Sequence, residues 1–251
     1  MVDARSPKCV AESRRGGVQR ESVMGIRRIV KKVLVHSPLR YSERMDGLLR
    51  LTLLKSWIGR YSPHPHFAAR DGLFAHVAET AVGDVPISFF EFGVYKGASL
   101  DAWTRLNSSA ESEFVGFDSF EGLPEAWLNI RKTVPAGSFT TGGELPAFGD
   151  RRVRLVKGWF RETLPLFLRQ FSPRNPLVVH CDADIYTSTL FVLVTLDSVM
   201  RPGTVVMFDD FTAMLHDFRA WDDYTRAFGR RFEVLGAAGR YYENVAVRLM
   251  G

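Results

Sequence analysis

Two cysteines are all that the 251-residue chain contains, Cys9 in a polar N-terminal stretch and Cys181 inside an apolar run. A disulfide framework is excluded and a reducing compartment is expected. No uncharged apolar run reaches the ~18 residues that a membrane-spanning helix needs. The stretch before Met24, itself a second candidate start, lacks the apolar core of a secretory signal, and Asp3, Glu12 and Glu21 speak against a transit peptide. Low complexity is also missing: 19 Phe and 5 Trp belong to a chain that builds a core. Nor is the body basic. Residues 1–40 hold ten Lys or Arg against three acids, so the net charge of +5 leaves residues 41–251 at −2. Nucleic acid is therefore not an expected partner.

What is present divides into three regions. Residues 1–23 are polar, Arg-rich and aperiodic, and read as a disordered basic tail. Residues 24–84 read as an N-terminal helical region. Its first part sets Ile26, Ile29, Val30, Val33 and Leu34 against Arg27, Arg28, Lys31 and Lys32. This basic amphipathic helix suits either an anionic membrane surface or packing on the domain with its charges in water. Helices are expected at 42–60 and 68–82, separated by a Pro-rich loop in which His64 and His66 read as plain loop residues. Residues 85–251 form the third region.

From Val85 onward, short apolar runs alternate with helical patterns. The runs are Ser88–Val94, Phe114–Ser119, Val153–Lys157, Leu177–Asp182, Thr204–Asp209, Arg231–Leu235 and Asn244–Leu249, with helices at 97–107, 161–170, 187–200 and 214–228. This predicts an α/β three-layer sandwich on a mostly parallel sheet. The last two runs are joined by too few residues for a parallel crossover, so they should pair antiparallel. Ligands of such sheets bind at the carboxyl ends of the strands, where strand order reverses.

Polar residues do stand at those ends. Glu91-Phe92-Gly93-Val94-Tyr95-Lys96-Gly97-Ala98-Ser99 closes the first run, and its Gly-x-x-x-Gly spacing is not the dinucleotide fingerprint Gly-x-Gly-x-x-Gly. Asp118 ends the second run, 27 residues after Glu91, where an acid can bind ribose hydroxyls. Asp182 and Asp184 end the fourth, and Asp209 and Asp210 the fifth. Four carboxylates at one sheet edge repel unless protons or a cation intervene, and an all-oxygen set favours Mg²⁺ or Ca²⁺. Helix capping is the alternative for Asp184.

Five ordered motifs together resemble the macrocin O-methyltransferase family of class I S-adenosylmethionine-dependent enzymes, over about residues 85–250. They are Phe90–Gly97, Phe117–Pro124, Gly158-Trp159-Phe160 with Thr163-Leu164-Pro165, Asp182–Thr189 and Phe208–Phe211. The resemblance implies a Rossmann-like seven-stranded sheet with its last strand antiparallel, and a domain at 85–251 that binds S-adenosyl-L-methionine. It implies donor contacts at Glu91, Gly93, Tyr95, Lys96, Ser99, Asp118, Ser119 and Asp182. It also implies Mg²⁺ on Asp182, Asp209 and Asp210.

The expected reaction is methyl transfer to a hydroxyl of a sugar, glycosylated natural product or glycan. A cation polarises that hydroxyl and fixes it in line with the methyl group. His216 is the first candidate for the general base and Asp184 the second, with Asp182 also among the catalytic residues. The segment from Glu121 to Asp150, rich in Gly and Pro and bearing Trp127, Phe139 and Phe148, reads as a lid over the acceptor or as a surface excursion with a short helix near 124–131. Expected partners are a small-molecule or glycan acceptor and a second copy of the chain. The expected location is the cytoplasm, with the basic tail suited to peripheral contact at the inner membrane face. Two rival readings remain: a nicotinamide-type oxidoreductase or epimerase on a similar sheet, and a non-catalytic membrane-docked binding module.

Overall fold

The computed structural model describes residues 43–128 and 133–251. The expected tail at 1–23 and the amphipathic stretch at 24–35 lie outside the described residues, as does Cys9. From Arg44 to Gly251 the chain forms one compact unit.

Helix α1 (Glu43–Tyr61) leads through a Pro-rich turn to strand β1 (His66–Phe67), helix α2 (Arg70–Val77) and a π-helical turn at 78–82. Then follow β2 (Ser88–Phe92), α3 (Ala98–Leu106), β3 (Glu113–Asp118), the short strands β4 (Trp127–Leu128) and β5 (Thr133–Val134), and β6 (Val153–Lys157). The remaining elements are α4 (Phe160–Leu168), β7 (Leu177–Cys181), α5 (Tyr186–Leu196), β8 (Val205–Phe208), α6 (Asp217–Ala227), β9 (Phe232–Ala238) and β10 (Asn244–Leu249). The main sheet runs β1-β9-β10-β8-β7-β2-β3-β6. Strand β10 is antiparallel to both β8 and β9, as the short connection required, and all other pairings are parallel.

Eight strands, rather than seven, make this sheet. The addition is β1, in the stretch read as loop, where the Ala237 N–H donates to the Pro65 carbonyl at 3.0 Å and the Gly239 N–H to that of Phe67 at 3.1 Å. His66, read as a plain loop residue, is instead an edge-strand residue whose ring bonds the Gly239 carbonyl through Nε2 at 2.6 Å and stacks on Tyr242.

The central strands are buried on both faces, and their period of two sorts the side chains between two cores. Phe90, Phe92, Phe117, Val179 and Phe208 face a core closed by α1, α4, α5 and α6. There Trp57 and Trp221 are core residues, and a single Phe→Ala change would cost about 3–5 kcal/mol. Phe89, Phe114, Val178 and Met207 face the opposite core, which α2 and α3 close with Leu73, Phe74, Leu100 and Trp103. Polar residues two positions on from this second set, Glu91, His180 and Asp209, share its face. That parity decides which polar groups meet.

Candidate active site

Strand order reverses between β2 and β7, and a cleft of about 800 Å³ opens over their carboxyl ends. Gly93 is its floor. With φ +95°, its position would put a Cβ 1.8 Å from the Asp182 carbonyl oxygen, so only glycine lets the turn after β2 cross the end of β7. Gly97, at φ +80°, meets the Phe148 ring in the same way, with 2.4 Å to an added Cβ. Between the two glycines, the N–H groups of Val94 and Tyr95 each donate to Asp118 Oδ2 at 2.8 Å, and the Phe120 N–H donates to Oδ1 at 2.7 Å. Asp118 thus lines the cleft while tying the first turn to the second. Tyr95, Lys96, Ser99 and Ser119 line it as well, and Lys96 Nζ lies 5.2 Å from the Tyr95 ring centre.

Glu91 is placed differently from expectation. It is fully buried and does not line the cleft. Its Oε1 accepts the Ser99 hydroxyl and lies 2.9 Å from His180 Nδ1. Strand parity turns it beneath the floor, where it holds the Ser99 and His180 side chains.

Asp182, Asp184, Asp209 and Asp210 all line the cleft, and they sort into two groups. Asp182 and Asp209 share Arg70, whose Nη1 lies 3.9 Å from Asp182 Oδ2 and 3.0 Å from Asp209 Oδ1. The Asn244 side-chain amide donates to the same Asp209 oxygen at 2.8 Å. His180 joins this group: one donor atom from each of His180, Asp182 and Asp209 lies within 4.8 Å of the others. Asp210 does not belong to that set. It feels the Asp209 charge but shares its hydrogen bond with Asp184. The three acids expected to hold the metal, Asp182, Asp209 and Asp210, thus line one cleft, and buried His180 lies beside two of them. Asp184, at φ +60°, is not the cap of α5; that position is Ile185, with no side-chain cap.

Electrostatics follow from this crowding. Burial, then Asp209, Asp184, Glu91 and Asp210, hold the Asp182 carboxyl well above the usual range. Burial and Asp210 push Asp184 up to about 8, and burial and Asp209 push Asp210 to about 6. Burial works against the Arg70 charge, but Asp209 and Asp182 outweigh it and raise its pKa. These donors fit a divalent cation: four carboxylates line one cleft and raise one another's pKa, while Arg70 pairs with only two of them, Asp182 and Asp209.

His216 does not fit the base role. It is buried, its Nδ1 accepts the Tyr186 N–H at 3.1 Å and its Nε2 lies 2.9 Å from the Leu128 carbonyl, so both ring nitrogens serve the backbone. It does not line the cleft. The segment 121–150 carries the β4–β5 hairpin where a helix was the alternative, and it brings Leu123, Trp127 and Phe139 to the cleft. The carbonyl of Phe120 accepts from the N–H groups of Thr141 and Gly143, which folds the segment back on the second strand end.

Two site residues were not singled out from the sequence. His180 had a signal, since a histidine within an apolar strand, two residues before Asp182, must share its face. Arg70 had none, being one of many arginines until α2 folds over the sheet.

The model of the macrocin-O-methyltransferase (TylF) family matches residues 70–232. A 4'-O-methyltransferase of Streptomyces olivaceus acting on 8-demethyl-8-(2,3-dimethoxy-alpha-L-rhamnosyl)-tetracenomycin C is 29% identical over 168 residues, 57% of this chain and 62% of that protein. Demethyldecarbamoylnovobiocin O-methyltransferase of Streptomyces niveus is 28% identical over 173 residues, 60% of this chain and 63% of its own length. The chain thus spans under two thirds of either relative. Among solved structures, the O-methyltransferase NovP superposes with TM-score 0.57 at 22% identity, over 72% of this chain and 80% of that one. The calicheamicin methyltransferase CalS11 does so with 0.52 at 20% identity, over 99% and 98%. Likeness at these identities establishes the fold, and the match across residues 70–232 goes further: the chain belongs to the macrocin-O-methyltransferase family.

Proposed function

We propose that the protein is an S-adenosylmethionine-dependent O-methyltransferase acting on a sugar hydroxyl of a glycosylated natural product, with a divalent cation, Mg²⁺ in the simplest case, in its cleft. The observation that carries this reading is the juxtaposition of the Gly93 floor with the acidic edge at the point where strand order reverses. The acceptor class is drawn from the two Streptomyces relatives. S-adenosylmethionine supplies a methyl group already activated on a sulfonium. A cation held by Asp182 and Asp209 would supply charge to stabilise a developing alkoxide.

The chain's own residues do the rest. Gly93 and Gly97 let the backbone approach the donor, and Asp118 holds the Val94 and Tyr95 amides that shape its turn. Asp184 is the base. Its carboxyl faces the cleft and acts in its ionised form, in which a pKa near 8 makes it a stronger proton acceptor than an ordinary carboxylate. The hydrogen bond it shares with Asp210 fixes its orientation. Leu123, Trp127 and Phe139 exclude water over the acceptor in the manner of a lid. None of the described helices is long and apolar enough to cross a membrane, and cytoplasmic action belongs to the proposal.

Calorimetric titration of S-adenosylhomocysteine into the purified protein tests the reading. Binding in the micromolar range, about −8 kcal/mol, is expected. A folded sample that ignores S-adenosylhomocysteine and binds NADH would overturn it in favour of the oxidoreductase.

A further inference from the structure

Leu123 and Trp127, which line the cleft, belong to neither of the two main cores. They are buried in a third, small apolar cluster with Ile185, against which Val134 and Ala213 pack. Ile185 directly follows Asp184, and the Ala213 N–H donates to the Asp210 carbonyl at 2.8 Å. This wall of the cleft therefore rests on the two turns that carry the acids. The Thr187 hydroxyl adds a tie, donating to Glu125 Oε1 at 2.6 Å. Asp184 itself sits at the centre of a γ-type turn, with φ +60° and the Ile185 N–H bonded back to the Ala183 carbonyl at 2.6 Å. The positive-φ form of that turn is rare and strained, and it persists only where its surroundings hold it.

His216 connects wall and turn. Its Nδ1 accepts the N–H of Tyr186, two residues past Asp184, at 3.1 Å, and its Nε2 meets the Leu128 carbonyl, next to Trp127, at 2.9 Å. An N–H donates only to a bare nitrogen and a carbonyl accepts only from a protonated one, so the ring carries its proton on Nε2 and keeps Nδ1 bare. The Trp127 ring stands edge-on to it at 6.4 Å. The His216 backbone N–H is in turn anchored to the Ala213 carbonyl at 2.8 Å.

We propose that His216 is a positioning residue that joins the Trp127 wall to the turn at Asp184, so that the cleft encloses its acceptor and sets its base in one event. The inference rests on the reading of Asp184 as the base of a methyltransferase. A wall that lifts uncovers Ile185, pulls on the ring that holds the Tyr186 N–H and removes the support of the strained turn. An open cleft then has no base in place, and a donor bound there waits until the wall is seated.

Amide hydrogen exchange of the full-length protein tests the joint, read over residues 120–128 and 183–189 and taken relative to strand β3, which reports global opening. Two variants each spare half of it. In His216→Asn the side-chain oxygen stands where Nδ1 stood and keeps the Tyr186 N–H, while the Leu128 carbonyl loses its donor. In His216→Gln the side-chain amide reaches the Leu128 carbonyl, while the Tyr186 N–H loses its acceptor. A joined wall and turn should exchange roughly three- to tenfold faster in both stretches in either variant, the scale of one lost hydrogen bond. Faster exchange confined to the side whose bond was cut would overturn the proposal and leave His216 a cap of two separate groups. Trp127→Leu, which leaves His216 intact, should speed exchange over 183–189 as well, and parental exchange there would also overturn it. S-adenosylhomocysteine titrated into the same samples keeps the two readings apart. Its affinity should be parental in the His216 variants, since no bond of the joint touches the Gly93 turn. Failure of the folded parent to bind it sinks the methyltransferase reading, whereas donor binding with uncoupled exchange sinks the joint alone.

Discussion

Gly93→Ala isolates the feature on which the cleft depends, and the chain contains its own control. Gly203 has φ +94° against +95° at Gly93, yet an added Cβ at Gly203 meets nothing within 4 Å. Forcing alanine into that backbone region costs about 1–2 kcal/mol at either position. At Gly93 the new Cβ also falls 1.8 Å from the Asp182 carbonyl oxygen, a backbone atom that cannot rotate aside. Overpacking of this kind adds about 1–3 kcal/mol. For a chain of this size, a loss of 1 kcal/mol lowers Tm by roughly 2–4 °C. The control should therefore melt ~2–8 °C lower than the parent and Gly93→Ala ~4–20 °C lower, by the same arithmetic. Relief of the overlap requires either the turn after β2 or the end of β7 to move, and both border the proposed donor site. S-adenosylhomocysteine affinity should then fall more than about tenfold, or 1.4 kcal/mol, in Gly93→Ala and stay unchanged in Gly203→Ala. Scanning calorimetry and titration read the two quantities separately. Equal melting of the two variants, with parental affinity in both, would refute the close crossing of Gly93 over Asp182.

Asp184→Asn should lower kcat by roughly 10²–10⁴ while the protein still binds S-adenosylhomocysteine. His216→Ala should instead lose about 1–3 kcal/mol of stability, from the unpaired Tyr186 N–H and Leu128 carbonyl, with a smaller change in kcat. A catalytic collapse in a well-folded His216→Ala protein would return the base role to that residue. Asp217 is buried, accepts the Thr189 hydroxyl at 2.6 Å and has its carboxyl pushed up to about 7, by burial above all. Between pH ~4 and ~7 the folded chain holds this proton and the unfolded chain does not, so stability falls as pH rises through that window, by up to about 1.4 kcal/mol per unit. Asp217→Asn should flatten that part of the pH dependence in urea unfolding, and an unchanged slope would show that Asp217 is already ionised.

Much of this architecture was legible because strand and helix periods differ and strand ends are polar. The seven apolar runs from Ser88 to Leu249 became strands, and the antiparallel β10 followed from chain length between two runs. The acidic edge was legible for the same reason, since Asp182, Asp184, Asp209 and Asp210 each stand just beyond an apolar run. What could not be read was which neighbours those carboxylates face. Arg70 reaches them only because α2 closes over the second core, a tertiary fact with no local trace. β1 escaped notice because two residues carry no period. His216 misled because six residues beyond Asp210 is near in sequence, whereas the ring is turned under the β4–β5 hairpin to cap backbone groups.

The same parity that sorts the core also explains why the acidic edge is tolerable. Asp182 and Asp209 lie on the face that α2 covers, so the helix delivers Arg70 to them, β7 places His180 beside them and the neighbouring β2 delivers Glu91 to His180. Asp184 and Asp210 fall outside that arrangement and meet each other, with one proton between them as the remaining way to limit repulsion. In the proposed reading one sheet edge is divided between a half that would hold the cation and a half that would handle the proton, and the four Asp carboxylates line one cleft. A hydroxyl bound there would have its oxygen toward the first half and its proton toward the second. That division of labour requires the two Asp pairs to stay distinct. It is the single backbone step from Asp209 to Asp210, together with the left-handed turn at Asp184, that keeps them so.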